Sequence, residues 1–200
     1  MALTNCYCTL AELQARMDID DTVDDAILEA VITGVSRLID SYCGRKFYAA
    51  TETRYYTPRH ADWCVIDDLL TATTVATDSS GNRTYATTWA ATDYDLCPPN
   101  AATDGLPYTA IETAPQGRYS FSTISRGLKI AGSFGYSATT PAGVREACLL
   151  QAARVFKRKD APFGIMGSTE LGQIQTIARI DPDVVMMLAG FVRYGLVVTS

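Results

Sequence analysis

The sequence predicts an α+β fold: a small helical bundle, built by helices from both ends of the chain, with a central antiparallel β insert. Three observations carry this. Apolar residues recur at spacings of three and four over 22–44 and again over 141–159. Between about residues 50 and 135 threonine, tyrosine, valine and tryptophan dominate, in short runs bounded by glycine, proline and asparagine. A proline-led helix start, Asp181-Pro182-Asp183, follows near the C-terminus. The expected organisation is one domain over 1–200. It has N-terminal helices at 9–47, a β-rich insert at 48–137, a long helix at 138–163, a loop at 164–180, and a helix and tail at 181–200.

Thr9 and Glu12 form a capping-box pattern for a short helix over 9–17. Thr22 is expected to cap the second helix, with Asp24 and Asp25 in its first turn. Its seam is read as Leu28, Val31, Val35, Leu38 and Tyr42, widened by Ile27 and Ile39, and Gly44 is its stop. Strands are expected at 52–56, 63–66, 73–77, 83–88, 109–113 and 127–134. Asp78-Ser79-Ser80-Gly81-Asn82 marks a hairpin with a longer loop, and Cys97-Pro98-Pro99-Asn100 reads as a turn or loop.

The stretch PAGVREACLLQAARVFKRKDAPFG, from Pro141 to Gly164, is the most informative. Thr140 is the expected N-cap and Pro141 fits the first turn. Arg154, Lys157, Arg158 and Lys159 crowd the C-terminal end, where the helix dipole favours cations. Pro162 ends the helix near Lys159 or Asp160. Val144, Cys148, Leu149, Ala152, Val155 and Phe156 share one stripe. Leu150 falls on the opposite side, between Arg154 and Lys157. It reads either as an isolated exposed leucine or as part of a second packing surface, within the fold or against a neighbouring subunit. The basic cluster has three readings: solvated helix-end charge, an ion-pair surface toward another subunit, or a DNA contact. Residues 164–180 combine glycines with Ile165, Met166, Leu171, Ile174 and Ile177, too apolar for a free linker. The last helix starts with Asp181 as N-cap and carries Val184, Val185, Leu188 and Val192. The tail 194–200, with Tyr194, Leu196, Val197 and Val198, is apolar and read as extended.

Composition bounds the function. The 200 residues are 48% hydrophobic and 20% charged, enough to bury a core. No run of eighteen apolar residues occurs, so no membrane span is expected, and the N-terminus lacks the pattern of a signal peptide. A net charge of −5 argues against tight sequence-specific DNA recognition, which draws its affinity from basic surface. The six cysteines form no C-x-x-C pair and read as reduced thiols in a cytosolic setting.

Candidate chemistry is weak throughout. His60 is the single histidine and reads as an exposed loop residue. His60 and Cys64 have a metal-like spacing, but no second pair completes a zinc set. Asp18, Asp20, Asp24 and Glu29 fit positions of a calcium loop, yet Val23 stands where its sharp turn needs glycine; helix capping explains the same acids. Neither phosphate-binding glycine motif is present. Asp67-Asp68 and Asp93/Asp95 read as loop and turn residues. The expectation is no enzyme, no cofactor and no metal site.

The run VREACLLQAARVFKRKDAPFGIMG followed by IDPDVVMMLAGFVRY resembles the head–tail connector, or adaptor, proteins of long-tailed bacteriophages. The positions that carry the likeness are Ala152, Arg154, Phe156 and Arg158, then Asp160, Pro162 and Gly164, then Asp181 to Val184, and Arg193-Tyr194. TLAELQARMDI and SYCGRKF resemble that family's opening helical pair, and YDLCPPNAATDGLPYTAI its β insert. The likeness covers about residues 9–194. It departs in the order Arg193-Tyr194, where many relatives place tyrosine first. It implies a structural virion protein in the neck, assembled in the host cytoplasm. About twelve subunits would form a ring beneath the portal protein, meeting a stopper, tail-terminator or tail protein, with double-stranded DNA passing through the lumen. A head-completion or stopper protein of the same neck is the nearest alternative, and a small phage enzyme a more distant one. The expected contact residues, toward subunit or portal, are Leu150, Arg154, Lys157, Arg158, Lys159, Phe163, Ile165, Met166, Leu171, Ile174, Tyr194, Leu196, Val197 and Val198.

Overall fold

The computed structural model describes residues 3–160, 165–166, 174–175 and 180–193. The chain divides into two compact units, one of residues 1–45 with 140–200 and one of residues 46–139. The described elements are mainly α-helical in the first, with one short strand pair, and β in the second, so the class is α+β.

The helical unit contains α1 (Leu10–Met17), α2 (Asp25–Cys43), α3 (Ala142–Lys157) and α4 (Pro182–Leu188). Helix α1 begins with the expected capping box. The Glu12 N–H donates to Thr9 Oγ1 at 3.2 Å, and the Thr9 N–H donates to the Glu12 carboxylate at 2.8 Å. Helix α2 starts later than predicted: Asp24, not Thr22, is its N-cap, and the Thr22 carbonyl accepts the Asp25 N–H in the turn before it. Its seam is also rotated. Leu28, Ile32, Val35, Ser36, Ile39 and Cys43 are buried, Val31 and Tyr42 half-buried, and Ile27 and Leu38 exposed. Both sets obey the three-four rule and share Leu28, Val35 and the widening residue Ile39, so periodicity alone could not choose between them. Gly44 ends the helix in the left-handed region, at φ 63°.

Helix α3 begins one residue later than expected. Pro141 is its N-cap in an extended conformation, leaving Thr140 outside. After Lys157 the chain tightens into a 3-10 turn, Arg158–Asp160. Asp181 caps α4 as predicted, accepting the Asp183 N–H at 3.0 Å, with Pro182 first in the helix. Helix α4 is short and passes into a 3-10 turn, Ala189–Phe191, so Val192 lies beyond the helix. Two short strands, β7 (Ile165–Met166) and β8 (Ile174–Gln175), pair antiparallel where only a loop was expected.

The β unit holds β1 (Ala50–Tyr56), β2 (Trp63–Thr77), β3 (Thr87–Trp89), β4 (Tyr94–Cys97), β5 (Tyr108–Thr113) and β6 (Leu128–Phe134). They form one antiparallel sheet in the order β1-β6-β2-β5-β4, with β3 also on β2. The strands predicted at 63–66 and 73–77 are one strand of 15 residues. Its register shifts between Val65 and Leu69, Leu69 and Thr71, and Ala72 and Thr74. Such bulges re-aim a long strand, and here its first half pairs with β5 and its second with β6. The strand predicted at 83–88 is reduced to β3, because the Asp78 carboxylate gathers the N–H groups of Ser80, Gly81 and Arg83 at 3.0, 2.8 and 2.7 Å and holds 78–83 as a loop. Strand β4 was not predicted, and it places Asp95 in a strand rather than a turn.

The sheet packs Cys64, Ile66, Leu69, Val75, Trp89, Ile111, Phe121, Leu128, Ile130 and Phe134 into one core. Trp89 stacks on Phe121 with centroids 4.8 Å apart and donates its indole N–H to Thr77 Oγ1 at 3.0 Å. Gly132 sits mid-strand on β6 where β2 bulges toward it: a Cβ there would lie 2.1 Å from the Thr71 carbonyl oxygen.

Gly132→Ala is expected to destabilise the β unit by about 2–4 kcal/mol, since backbone rather than a flexible side chain must yield; urea unfolding of the full chain measures this. The Thr9 N–H, together with the Thr9 hydroxyl and Arg145, holds the Glu12 carboxyl below the usual carboxylate range, against some desolvation. A depressed carboxyl stabilises the fold above its unfolded pKa and loses that contribution as pH falls through its folded value. Glu12→Gln should therefore flatten the fall of Tm between about pH 5 and pH 3 relative to the unsubstituted chain; equal slopes would contradict it.

Candidate functional site

Helix α3 and the elements around it hold most of the predicted contact residues that are described. Its buried side chains are Val144, Ala147, Cys148, Leu149, Gln151, Ala152 and Phe156. They occupy a wider arc than one stripe because α3 packs on α1, α2 and α4 together. Val155, read from the sequence as part of the stripe, is half-buried, as is Leu150.

The basic end of α3 is largely tied within its own unit. Arg154 pairs with the Asp181 carboxylate, whose other oxygen caps α4. Gln151, one turn earlier, accepts the Asp181 N–H at 3.1 Å. Together they clamp the start of α4 onto α3, and the ion pair is charge-assisted. Lys159 pairs with Asp24, the N-cap of α2, and lies over the Phe156 ring at 4.2 Å. Lys157 is exposed and Arg158 half-buried. Only backbone is described for Ile165, Met166 and Ile174, and Phe163, Leu171, Tyr194, Leu196, Val197 and Val198 lie outside the described residues.

Sequence reasoning missed Gln151. Its signal was a buried amide one turn before an arginine on a helix facing an Asp-Pro cap. It also missed the node beneath α3, where Cys8 Sγ lies 3.4 Å from Cys148 Sγ and Ser36 Oγ lies 3.7 Å from the latter. Ser36 accepts the Tyr7 N–H at 3.1 Å and donates to the Ile32 carbonyl at 2.8 Å. The hydrogen bond with Cys148 and burial push the Cys8 thiol up, so it stays neutral. Salt bridges of Arg16 to Glu146 at 2.5 Å and of Arg145 to Glu12 at 3.4 Å link α1 to α3.

The residues weighed for catalysis do not converge. His60 is exposed in a loop, while Cys64 is buried on β2 with its thiol pushed up to about 11 by burial. Asp67 lies in β2 rather than a turn, accepting from Arg54 at 2.9 Å and from the Tyr56 hydroxyl at 3.2 Å. Asp68 is buried on the same strand, and Asp93 accepts the Ala90 N–H at 2.9 Å in a turn. In the acidic stretch, Asp18 ends α1 in the left-handed region and Asp21 accepts the Val23 N–H at 3.0 Å. Among the described residues no three of His, Cys, Asp and Glu come together to hold a metal ion, and no helix is long and apolar enough to cross a membrane.

The β unit also carries an aromatic and basic cluster that sequence patterning does not signal, with Tyr55 and Arg126 exposed, Lys129 half-buried and Tyr85 buried. Tyr55 and Tyr85 lie with ring centroids 5.4 Å apart, Arg126 covers the first at 4.5 Å, and Lys129 the second at 5.3 Å.

Residues 7–74, which span α1, α2, β1 and most of β2, match the family model of the phage gp6-like head-tail connector protein. Over this segment the chain is similar to that connector family. The fold of nearly the whole chain also has solved counterparts. One chain, in a structure described as the neck of an empty GTA particle computed with C6 symmetry, superposes with a TM-score of 0.60. It is 16% identical, and the match covers 96% of this chain and 92% of that one. Chains from the neck of the native GTA particle computed with C12 symmetry and from the virion of the native gene transfer agent particle each give a TM-score of 0.57. Their identity is 16%, with the same two coverages. At that identity the likeness is one of fold. No curated protein sequence matches the chain.

Asp181→Ala removes the α4 cap and the partner of Arg154 at once. It should cost about 1–2 kcal/mol, read as a lowered urea midpoint with an unchanged m-value.

Proposed function

We propose that this chain is a structural subunit of the virion neck, forming a ring beneath the portal that extends the DNA channel and joins capsid to tail. The observation that carries the reading is the connector match over residues 7–74. The fold likeness along nearly the whole chain to neck proteins computed with C6 and C12 symmetry supports a cyclic assembly of about twelve copies. In this reading the chain is one adaptor domain, a helical bundle with the β unit as its insert. It performs no catalysis and needs no cofactor. The portal protein lies on one side and a stopper or tail protein on the other. Double-stranded DNA slides past a predominantly acidic protein, whose charge of −5 avoids gripping phosphates.

The contact surface is the exposed remainder of the α3 end with the segments that follow it. Lys157 and the half-buried Leu150 on α3, with the half-buried Arg158 just after it, are its members there, and 163–174 and 194–198 supply the rest. Arg154 and Lys159 serve it indirectly, by fixing α4 and α2 against α3.

A reconstruction of the neck of purified particles is the direct test. The expected result is this fold repeated about twelvefold in contact with the portal. A ring one layer farther from the portal would make the chain a head-completion or stopper protein. Absence from the neck would overturn the proposal.

A further inference from the structure

Three cations of the β unit sit on aromatic rings and backbone carbonyls rather than on carboxylates. Arg126 and Lys129 cover Tyr55 and Tyr85, and Arg83 donates its guanidinium N–H to the carbonyl of Ser125. The cluster is held in place: the Tyr85 hydroxyl donates to the Arg126 carbonyl at 2.8 Å, and the Arg126 N–H donates to Thr57 Oγ1 at 2.8 Å. Arg83 and Arg126 are exposed, as is Tyr55. None of the three cations makes an ion pair among the described residues, whereas Arg54 on the same sheet binds both Glu52 and Asp67. A guanidinium held over a ring still has N–H groups to offer a planar anion.

The rest of the chain is correspondingly acidic, with 14 of its 17 basic residues set against 22 acidic ones. Part of that excess lies in the turn between α1 and α2. Asp18, Asp20 and Asp21 are exposed there and make no ion pair among the described residues. Beside them stand Val23, 85% exposed, and Ile27, 48% exposed. Exposed acids next in sequence to two exposed aliphatic side chains match, in charge and polarity, a cationic surface centred on tyrosine.

We propose that the Tyr55, Arg83, Arg126 and Lys129 patch docks on the α1–α2 turn of a second copy of this chain. The inference rests on the ring reading above. A cyclic ring needs two different, complementary surfaces on each subunit, and these two are complementary in both charge and apolar character. Tyrosine and arginine are also the side chains that most often anchor such contacts. Duplex DNA is the weaker match: it has no use for the apolar half of the patch, and the remaining acidic surface repels it.

The test is a charge swap in the full-length chain, with copies per purified particle counted by quantitative mass spectrometry. Arg126→Glu with Lys129→Glu, and separately Asp20→Lys with Asp21→Lys, should each reduce incorporation by about tenfold or more. All four together should restore it to within about twofold of the unsubstituted chain. Tm of each purified variant is measured alongside, so that misfolding is separated from lost contact. Failure of the unsubstituted chain to enter particles would overturn the neck reading itself. Normal incorporation of the two reversals, or loss that the fourfold variant does not restore, would overturn the docking proposal alone. So would a patch reversal that leaves incorporation intact but lowers packaged DNA, which would assign the patch to DNA.

Discussion

Helix α3 packs on α1, α2 and α4, and seven of its sixteen side chains are buried as a result. The helical unit is arranged around that demand. Small residues, Ala147, Cys148 and Ala152, let neighbouring helices approach, while Val144 and Phe156 fill the two ends of the buried surface. Burying so much of a helix also buries a polar group, Gln151, which finds its partner in the backbone of Asp181. The basic end then does local work: Arg154 and Lys159 bind the caps of α4 and α2. A feature that looked suited to an outside partner is in good part the fastening of the unit itself.

In the β unit the organising element is the 15-residue β2. It serves β5 with one half and β6 with the other, and its bulges make that exchange possible. Gly132 follows from this, because the strand that bends toward β6 leaves no room for a side chain there. Trp89 closes the far end of β2 through its hydrogen bond to Thr77 and its stack on Phe121.

Sequence reasoning reached what local chemistry determines. The α1 capping box, the Gly44 stop and the Asp181-Pro182 start of α4 depend on residues a few positions apart, and the structure has them as read. It failed where tertiary choice decides. The seam of α2 had two sets of apolar residues at acceptable spacing, and only packing against α1 and α3 selects Ile32 and Cys43 over Val31 and Tyr42. The strands read at 63–66 and 73–77 are one because residues 67–72 between them stay in β2, although Asp67-Asp68 there resembles a turn. Partners far apart in sequence, such as Arg154 with Asp181 or Tyr85 with Lys129, leave no local trace. The family resemblance was legible for a different reason: the order and spacing of several weak motifs, none specific alone.

The backbone of Arg193 is hydrogen-bonded to the carbonyl of Cys43, at 2.8 Å. That carbonyl is one of the last in α2, where a helix has no internal donor to offer. The bond has a mechanical meaning. A pull applied to the chain beyond residue 193 is resisted first at the final turn of α2, a helix of nineteen residues braced by α1 and α3, and only then by the much shorter α4. Tension on the chain at residue 193 is therefore shared with the longest described helix of the helical unit. The bond thus ties the residues just after α4 directly to the end of α2.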